Sequence, residues 1–174
     1  MMQYCACHRN ADELLGRKVL SRGHVLFIIS IFVFCLGKEV AHGEPTFGRG
    51  TVILVQGERR VTLEVEVAEN PEARTMGLMH RVQLPVRAGM LFIFHKSERQ
   101  SFWMNNTFMP LSIAFISPSW KIAEIQHMDP PRSAGGMPSY QSKSVVRYAL
   151  EVNQGFFRRS GIGAGAHVMF LPAE

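Results

Sequence analysis

The sequence predicts a mainly β protein of the α+β class: a compact antiparallel barrel or sandwich of about seven strands with two short helices. The first observation is the alternation of apolar and polar residues over Arg59–Ala68, which is typical of a strand with one buried face. The second is a pair of apolar runs, Met90–Phe94 and Leu111–Ile116, whose lengths fit buried strands.

The first 43 residues are predicted to be a cleaved signal peptide. Val25–Leu36 holds twelve residues with one serine and no charge, and basic residues precede it. That run is too short for a membrane span, which needs about 20 apolar residues, and fits the apolar core of a signal peptide. Ala41-His42-Gly43 places small residues where a signal peptidase reads them, so we expect an extracytoplasmic protein, periplasmic or secreted. An uncleaved anchor and a buried helix are the alternatives.

Cleavage after residue 43 leaves 131 of the 174 residues, which suits one domain. We assign 44–50 to a linker and 51–174 to the domain. All three cysteines precede the cut, so the remaining chain has no disulfide, cysteine nucleophile or thiolate metal site. It carries 14 Lys and Arg against 11 Asp and Glu, an excess too small to favour nucleic acid. We expect a monomer that meets the membrane only during export.

The elements follow in order along this domain. Thr51–Gln56 and Arg59–Ala68 are separated by Gly57-Glu58 and are predicted to form a hairpin. Asn70-Pro71-Glu72 is typical of a helix start, with Asn as the N-cap and Pro at the first position, and Gly77 is expected to end the helix. The remaining predicted strands and the second helical segment are Trp120–Gln126, Val145–Val152, Ala166–Leu171 and Asn153–Ser160. Met128–Ser144 is a long connection.

The most unusual composition lies between the two apolar runs. Asn105-Asn106-Thr107 directly follows Trp103-Met104 and shortly precedes Pro110. Asn and Thr favour turns, so the triplet is predicted to lie where one strand ends and the next begins. Two carboxamides beside a Trp also offer the mixture of polar groups and apolar surface that small-molecule pockets use. We therefore consider Trp103 and the triplet candidate ligand-binding residues, with a purely turn-forming role as the alternative.

Three basic residues are further candidates for this site: Arg74, His80 and Arg81. For Arg74 a structural role is favoured, as the ion-pair partner of Glu151, which lies between apolar neighbours in a predicted strand. The histidines at 80, 95, 127 and 167 show no metal-ligand spacing, and the methionines stand among core residues, so neither a metal nor a cofactor is expected.

Several motifs together resemble the DUF192 family, whose small domains have no established biochemical function. They are Asn70–Arg81 with its Gly77-Leu78-Met79, Gly89–Phe92, the block from Phe102 to Ser117, Arg147–Val152 and Gly161–Gly165. The resemblance covers nearly all of the chain after residue 43. One position departs from the family: Ser112 stands after the Pro-Leu pair, where an acidic residue is usual. This puts in question any family activity that depends on that carboxylate.

These observations favour an exported, non-catalytic domain that binds an unknown small molecule or peptide, or serves as an accessory domain. Two alternatives stay open. One is a hydrolase that uses Asn106 and Thr107 with His80 or Glu151, which requires a base within hydrogen-bond reach of a nucleophile. The other is a structural protein-interaction domain, which predicts an exposed, flat apolar patch.

Overall fold

The computed structural model describes residues 45–131 and 138–173. The predicted signal peptide, its cleavage site and the first residue of the predicted linker, Glu44, lie outside these ranges. Among the described residues the chain forms nine strands and two short helices. The strands are β1 Gly48–Gln56, β2 Arg59–Ala68, β3 Ala88–Glu98, β4 Ser101–Trp103, β5 Leu111–Ile116, β6 Ile122–Met128, β7 Ser139–Gln141, β8 Val146–Asn153 and β9 His167–Pro172. The helices are α1 Pro71–Met76 and α2 Phe156–Ser160.

Seven strands form one sheet in the order β6-β5-β8-β3-β2-β1-β9, and β4 pairs with β7 in a separate two-stranded sheet. The predicted mainly β fold with two short helices is therefore confirmed. Of the two predicted architectures, barrel or sandwich, the barrel is wrong, because β6 and β9 form no ladder. An isolated bridge between Lys121 and His167 joins their ends. The linker prediction is also wrong at its end, since β1 begins at Gly48.

The first hairpin forms as predicted, with Gln56 opposite Arg59 and Gly57 at a φ of 59° in the two-residue turn. β2 then pairs with β3 in parallel, so the sheet is not wholly antiparallel. Parallel neighbours require a crossover connection, and α1 lies in it. The predicted N-cap forms here: the Asn70 side chain accepts a hydrogen bond from the N–H of Ala73 over 2.7 Å.

Both faces of the sheet are covered around β5, whose six residues are all buried. One face packs Ala114 and Ile116 with α2 and the first hairpin. The other face packs Leu111, Ile113 and Phe115 against α1 and the segment before β5. This double burial explains why Leu111–Ile116 is apolar throughout instead of alternating. It also places any polar side chain on the neighbouring strands close to a dry core.

Candidate functional site

A narrow cleft lies between α1 and the β4–β5 segment, over one face of β8. We call it the Glu151 cleft. One wall is α1 with the loop that follows it, and the other is aromatic, formed by Phe92, Phe102 and Trp103. Thr107 and Glu151 also line it, and its volume is ≈ 30 Å³. A water molecule needs about 10–15 Å³ measured in this way, so the cleft has room for a small polar head group.

Glu151 is the most unusual residue of this cleft. It lies on β8 between Met90 of β3 and Ile113 of β5, and only 5% of its surface is exposed. Within residues 45–131 and 138–173 its carboxyl group forms no ion pair or hydrogen bond. Every fully enclosed side-chain oxygen in those ranges has a hydrogen-bond partner. Because the Glu151 oxygens have no partner there, they are not fully enclosed and reach the cleft. Burial raises the pKa of Glu151 to about 8, so the group is mainly uncharged at neutral pH.

The predicted ion pair between Arg74 and Glu151 is wrong. Arg74 does line the cleft, but its Nη1 donates to the carbonyl oxygens of Glu69 and, over 3.2 Å, of Ile93. Its guanidinium also lies 5.6 Å from the centre of the Phe94 ring. These contacts keep the charge at the rim of the cleft. Burying it against Glu151 would add a desolvation penalty that the two backbone carbonyls avoid.

The polar triplet lies between β4 and β5, as predicted. Thr107 is buried and lines the cleft, and its hydroxyl donates to the carbonyl oxygen of Asn105 over 3.2 Å. Asn105 and Asn106 are not among the lining residues. Asn106 is exposed and adopts a φ of 49°, a left-handed conformation that Asn tolerates better than most residues. The turn thus presents Thr107 to the cleft, while Trp103, 54% exposed, forms its outer edge.

His80 and Arg81 lie outside the cleft. The His80 N–H donates to the carbonyl oxygen of Asn106 over 2.7 Å, which ties the α1 loop to the triplet, while the His80 side chain is exposed. Arg81 pairs with Glu66 through two contacts of 2.5 and 2.8 Å, the only ion pair in the described part of the chain. The hydrogen bond from Arg81 is the main reason that the pKa of Glu66 is lowered.

The geometry does not assemble the hydrolase that the sequence left open. The Thr107 hydroxyl donates to a backbone carbonyl, so it is not oriented by a base. None of the hydrogen bonds in the described ranges joins it to His80 or Glu151. A nucleophile needs its base at about 2.6–3.2 Å, with some loosening in an empty site. In the described residues Thr107, His80 and Glu151 therefore form no hydrogen-bonded pair of nucleophile and base.

Sequence reasoning missed two features. The aromatic wall includes Phe92, which is indistinguishable in sequence from the other apolar residues of its strand. Ser112, noted only as a departure from the family, is completely buried. Its hydroxyl oxygen accepts the N–H of Gly155 over 3.0 Å and lies 2.9 Å from Nδ1 of His127. Ser112 thus links β5, β6 and the start of α2.

No group of three or more His, Cys, Asp or Glu residues within the described ranges is arranged to hold a metal ion. Neither of the helices described is long and apolar enough to cross a membrane.

Comparison with known proteins assigns the chain to a family that is described as uncharacterized. The family model DUF192, described as an uncharacterized ACR, matches residues 52–170. A crystal structure from Sinorhizobium meliloti 1021, described as that of a candidate transcription regulator, is 33% identical with a TM-score of 0.67, covering 74% of this chain and 98% of that one. A protein of unknown function from Novosphingobium aromaticivorans DSM 12444 is 27% identical with a TM-score of 0.63, covering 68% of this chain and 83% of that one. No curated protein matches the sequence.

Proposed function

This chain belongs to the DUF192 family, and we propose that it is an exported, non-catalytic binding or accessory domain whose small ligand enters the Glu151 cleft. The observation that carries the proposal is the Glu151 carboxyl group, which is buried without a partner in the described structure and opens into an aromatic-walled cleft. A strongly perturbed carboxyl group in a cleft is a candidate functional group.

Burial of the Glu151 carboxyl group lowers the stability of the fold. Burying a polar group without a hydrogen bond costs about 1–3 kcal/mol by mutational measures. An apolar residue on β8 would pack between Met90 and Ile113 without that penalty. The position therefore fits a group kept for binding better than a group kept for stability.

The lining residues describe the ligand they would suit. At neutral pH the uncharged Glu151 can both donate and accept a hydrogen bond, and Thr107 supplies a hydroxyl group beside it. The space of ≈ 30 Å³ admits only a small head group. Trp103 at the edge provides a flat apolar platform for the rest of the molecule. The proposed ligand thus carries a small polar head on a flat, apolar body.

A titration with three probes tests this proposal. Benzamide, benzylamine and benzoate share a ring and differ in the charge of the head group, and binding is followed by amide chemical shifts in protein-detected NMR. We expect saturable shifts at Thr107, Trp103 and Glu151 with at least one probe. Saturable shifts confined to other surfaces, or none with any probe, would overturn the proposed site.

Matched variants make the titration specific. Trp103→Ala removes the proposed platform and should weaken binding of the active probe about tenfold, within the range of aromatic contacts of about 1–3 kcal/mol. Phe108→Ala is the control, because Phe108 is 62% exposed on the same segment and does not line the cleft. Equal weakening in both variants would mean that the probe binds a general apolar surface.

A second candidate is a protein-interaction domain, favoured by the exposure of Trp103 and Phe108 so close in sequence. In that case both alanine variants should weaken a partner's binding equally and leave the probe titration unchanged.

Export rests on the sequence of the first 43 residues. Mass spectrometry of the protein from its native cell should find an N-terminus near Glu44. A full-length chain retained in the membrane would identify the segment as an anchor instead.

A further inference from the structure

A second, more polar cleft lies where β6 ends and the β8–α2 connection begins. We call it the Gly155 cleft. Its volume is ≈ 560 Å³, large enough for a small organic anion. It is lined by His127, Asp129, Gln154, Gly155, Arg158 and Arg159.

Two guanidinium groups converge over Gly155. A methyl group added to this glycine would lie 2.8 Å from Nη1 of Arg159 and 4.0 Å from Nη2 of Arg158. Neither arginine forms an ion pair within the described ranges. The two guanidinium groups carry like charges on the same side of Gly155 and repel one another. An anion bound between them would offset that repulsion.

The Arg159 guanidinium is positioned by one contact that leaves its other donors for a ligand. Nη1 of Arg159 donates to the carbonyl oxygen of Gln154 over 3.0 Å, which turns the side chain back over the cleft. The Gln154 side chain donates to Oδ1 of Asp129 over 2.9 Å. Asp129, the one acidic residue lining the cleft, is thus engaged by a neutral amide instead of by either arginine.

His127 contributes a third donor through Ser112. The Ser112 oxygen accepts the N–H of Gly155, and Ser112 is completely buried. Its own proton therefore needs an acceptor, and Nδ1 of His127 lies 2.9 Å away. In this arrangement the neutral imidazole carries its proton on Nε2, the nitrogen not used by Ser112.

We propose that the Gly155 cleft binds a small oxyanion, a phosphate or carboxylate group, held by Arg158, Arg159 and His127. Arg158 and Arg159 lie in the last turn of the five-residue helix α2, and their side chains, not an end of the helix, would hold the anion. The site is separate from the Glu151 cleft and shares no lining residue with it. The inference therefore stands or falls independently of the proposed function.

Titration with inorganic phosphate at constant ionic strength tests this inference. We expect saturable amide shifts at Gly155, Arg158 and Arg159, with sodium chloride at the same ionic strength producing none. Glycerol 3-phosphate and citrate distinguish the sources of the oxyanion: tighter binding of the former indicates an organic phosphate, and of the latter a carboxylate. Shifts that do not saturate with any of the three anions would overturn the proposal.

Variants that change the charge of the cleft should change its affinity for the anion in opposite directions. Arg158→Ala and Arg159→Ala should each weaken binding of the preferred anion about tenfold or more, as expected for loss of a charge-assisted hydrogen bond. Asp129→Asn should tighten it, because the amide oxygen can still accept from Gln154 while the negative charge is gone. Arg60→Ala, an exposed arginine on β2, is the control and should change nothing. Unchanged affinity in both cleft arginine variants, with urea midpoints like wild type, would overturn the assignment.

Discussion

The N–H of His80 donates to the carbonyl oxygen of Asn106 over 2.7 Å, and both residues adopt positive φ, 63° for His80 and 49° for Asn106. Two left-handed residues therefore meet where the loop after α1 touches the triplet before β5. This contact joins the loop after α1, which forms part of one wall of the Glu151 cleft, to the segment that carries Thr107. Asn106 thus acts through its backbone carbonyl, since its side chain does not line the cleft.

The backbone role of Asn106 predicts the order of stability among variants at this position. Asn106→Ala should lower the free energy of unfolding by about 1 kcal/mol, because a left-handed residue with a Cβ atom costs about 1–2 kcal/mol and Asn tolerates it best after Gly. Asn106→Gly should stay close to wild type. Asn105→Ala is the control, since positive φ is not found at that position. Urea unfolding measures all three, and a glycine variant as unstable as the alanine variant would show that the side chain matters instead.

The separation of Arg74 from Glu151 predicts weak energetic coupling. Arg74→Ala should destabilise the protein by about 1–2 kcal/mol through its lost hydrogen bonds to the Glu69 and Ile93 carbonyls. A double-mutant cycle with Glu151→Gln should give a coupling below about 0.5 kcal/mol. A coupling of several kcal/mol would restore the buried ion pair that the sequence suggested.

Replacing Glu151 by an apolar residue of similar size should stabilise the protein. Glu151→Met removes a buried carboxyl group without a described partner, and burial of such a polar group without a hydrogen bond costs about 1–3 kcal/mol. The same variant should lose binding of whichever probe the wild type binds. Differential scanning calorimetry and the NMR titration measure the two effects. A Glu151→Met protein that melts well below wild type would mean that the carboxyl group supports the fold.

The raised pKa of Glu151 also predicts how stability depends on pH. The folded-state pKa is about 8 against an ordinary value of 4.5, so between these values the native state holds a proton that the unfolded state has lost. The free energy of unfolding contributed by this group is therefore complete below pH 4.5 and falls as pH rises towards 8, by up to about 1.4 kcal/mol per pH unit. Glu151→Gln should remove this slope. Parallel pH profiles for the two proteins would contradict the assignment.

Local patterns in the sequence predicted the elements that depend on neighbours along the chain. The hairpin follows from alternation over Arg59–Ala68 and a two-residue turn with Gly57, and the start of α1 follows from Asn70-Pro71. β4 and β7 were missed because each has three residues and finds its partner across more than thirty residues of chain. Neither strand is long enough to show a periodicity.

The candidate site was predicted in composition but not in geometry. Trp103 and Thr107 do line the cleft. The polar triplet forms the predicted turn between β4 and β5, and this turn brings Thr107 to the cleft. The partners of Arg74 could not be read from the sequence, since they are the backbone carbonyls of Glu69, just after β2, and of Ile93, in the middle of β3. Both residues directly follow the last pair of the parallel β2–β3 ladder, Ala68 with Phe92, and neither strand's residue pattern specifies that pairing.

Carboxyl carbon NMR with and without the active probe measures the pKa of the Glu151 side chain and so shows whether the probe binds at this carboxyl group. In the free protein we expect titration near pH 8. Saturation with the probe should move that pKa by at least about one unit, equivalent to about 1.4 kcal/mol of direct interaction with the carboxyl group. A Glu151 that titrates near its ordinary value of 4.5, or that keeps its pKa with every probe bound, would show that the ligand does not bind at this carboxyl group.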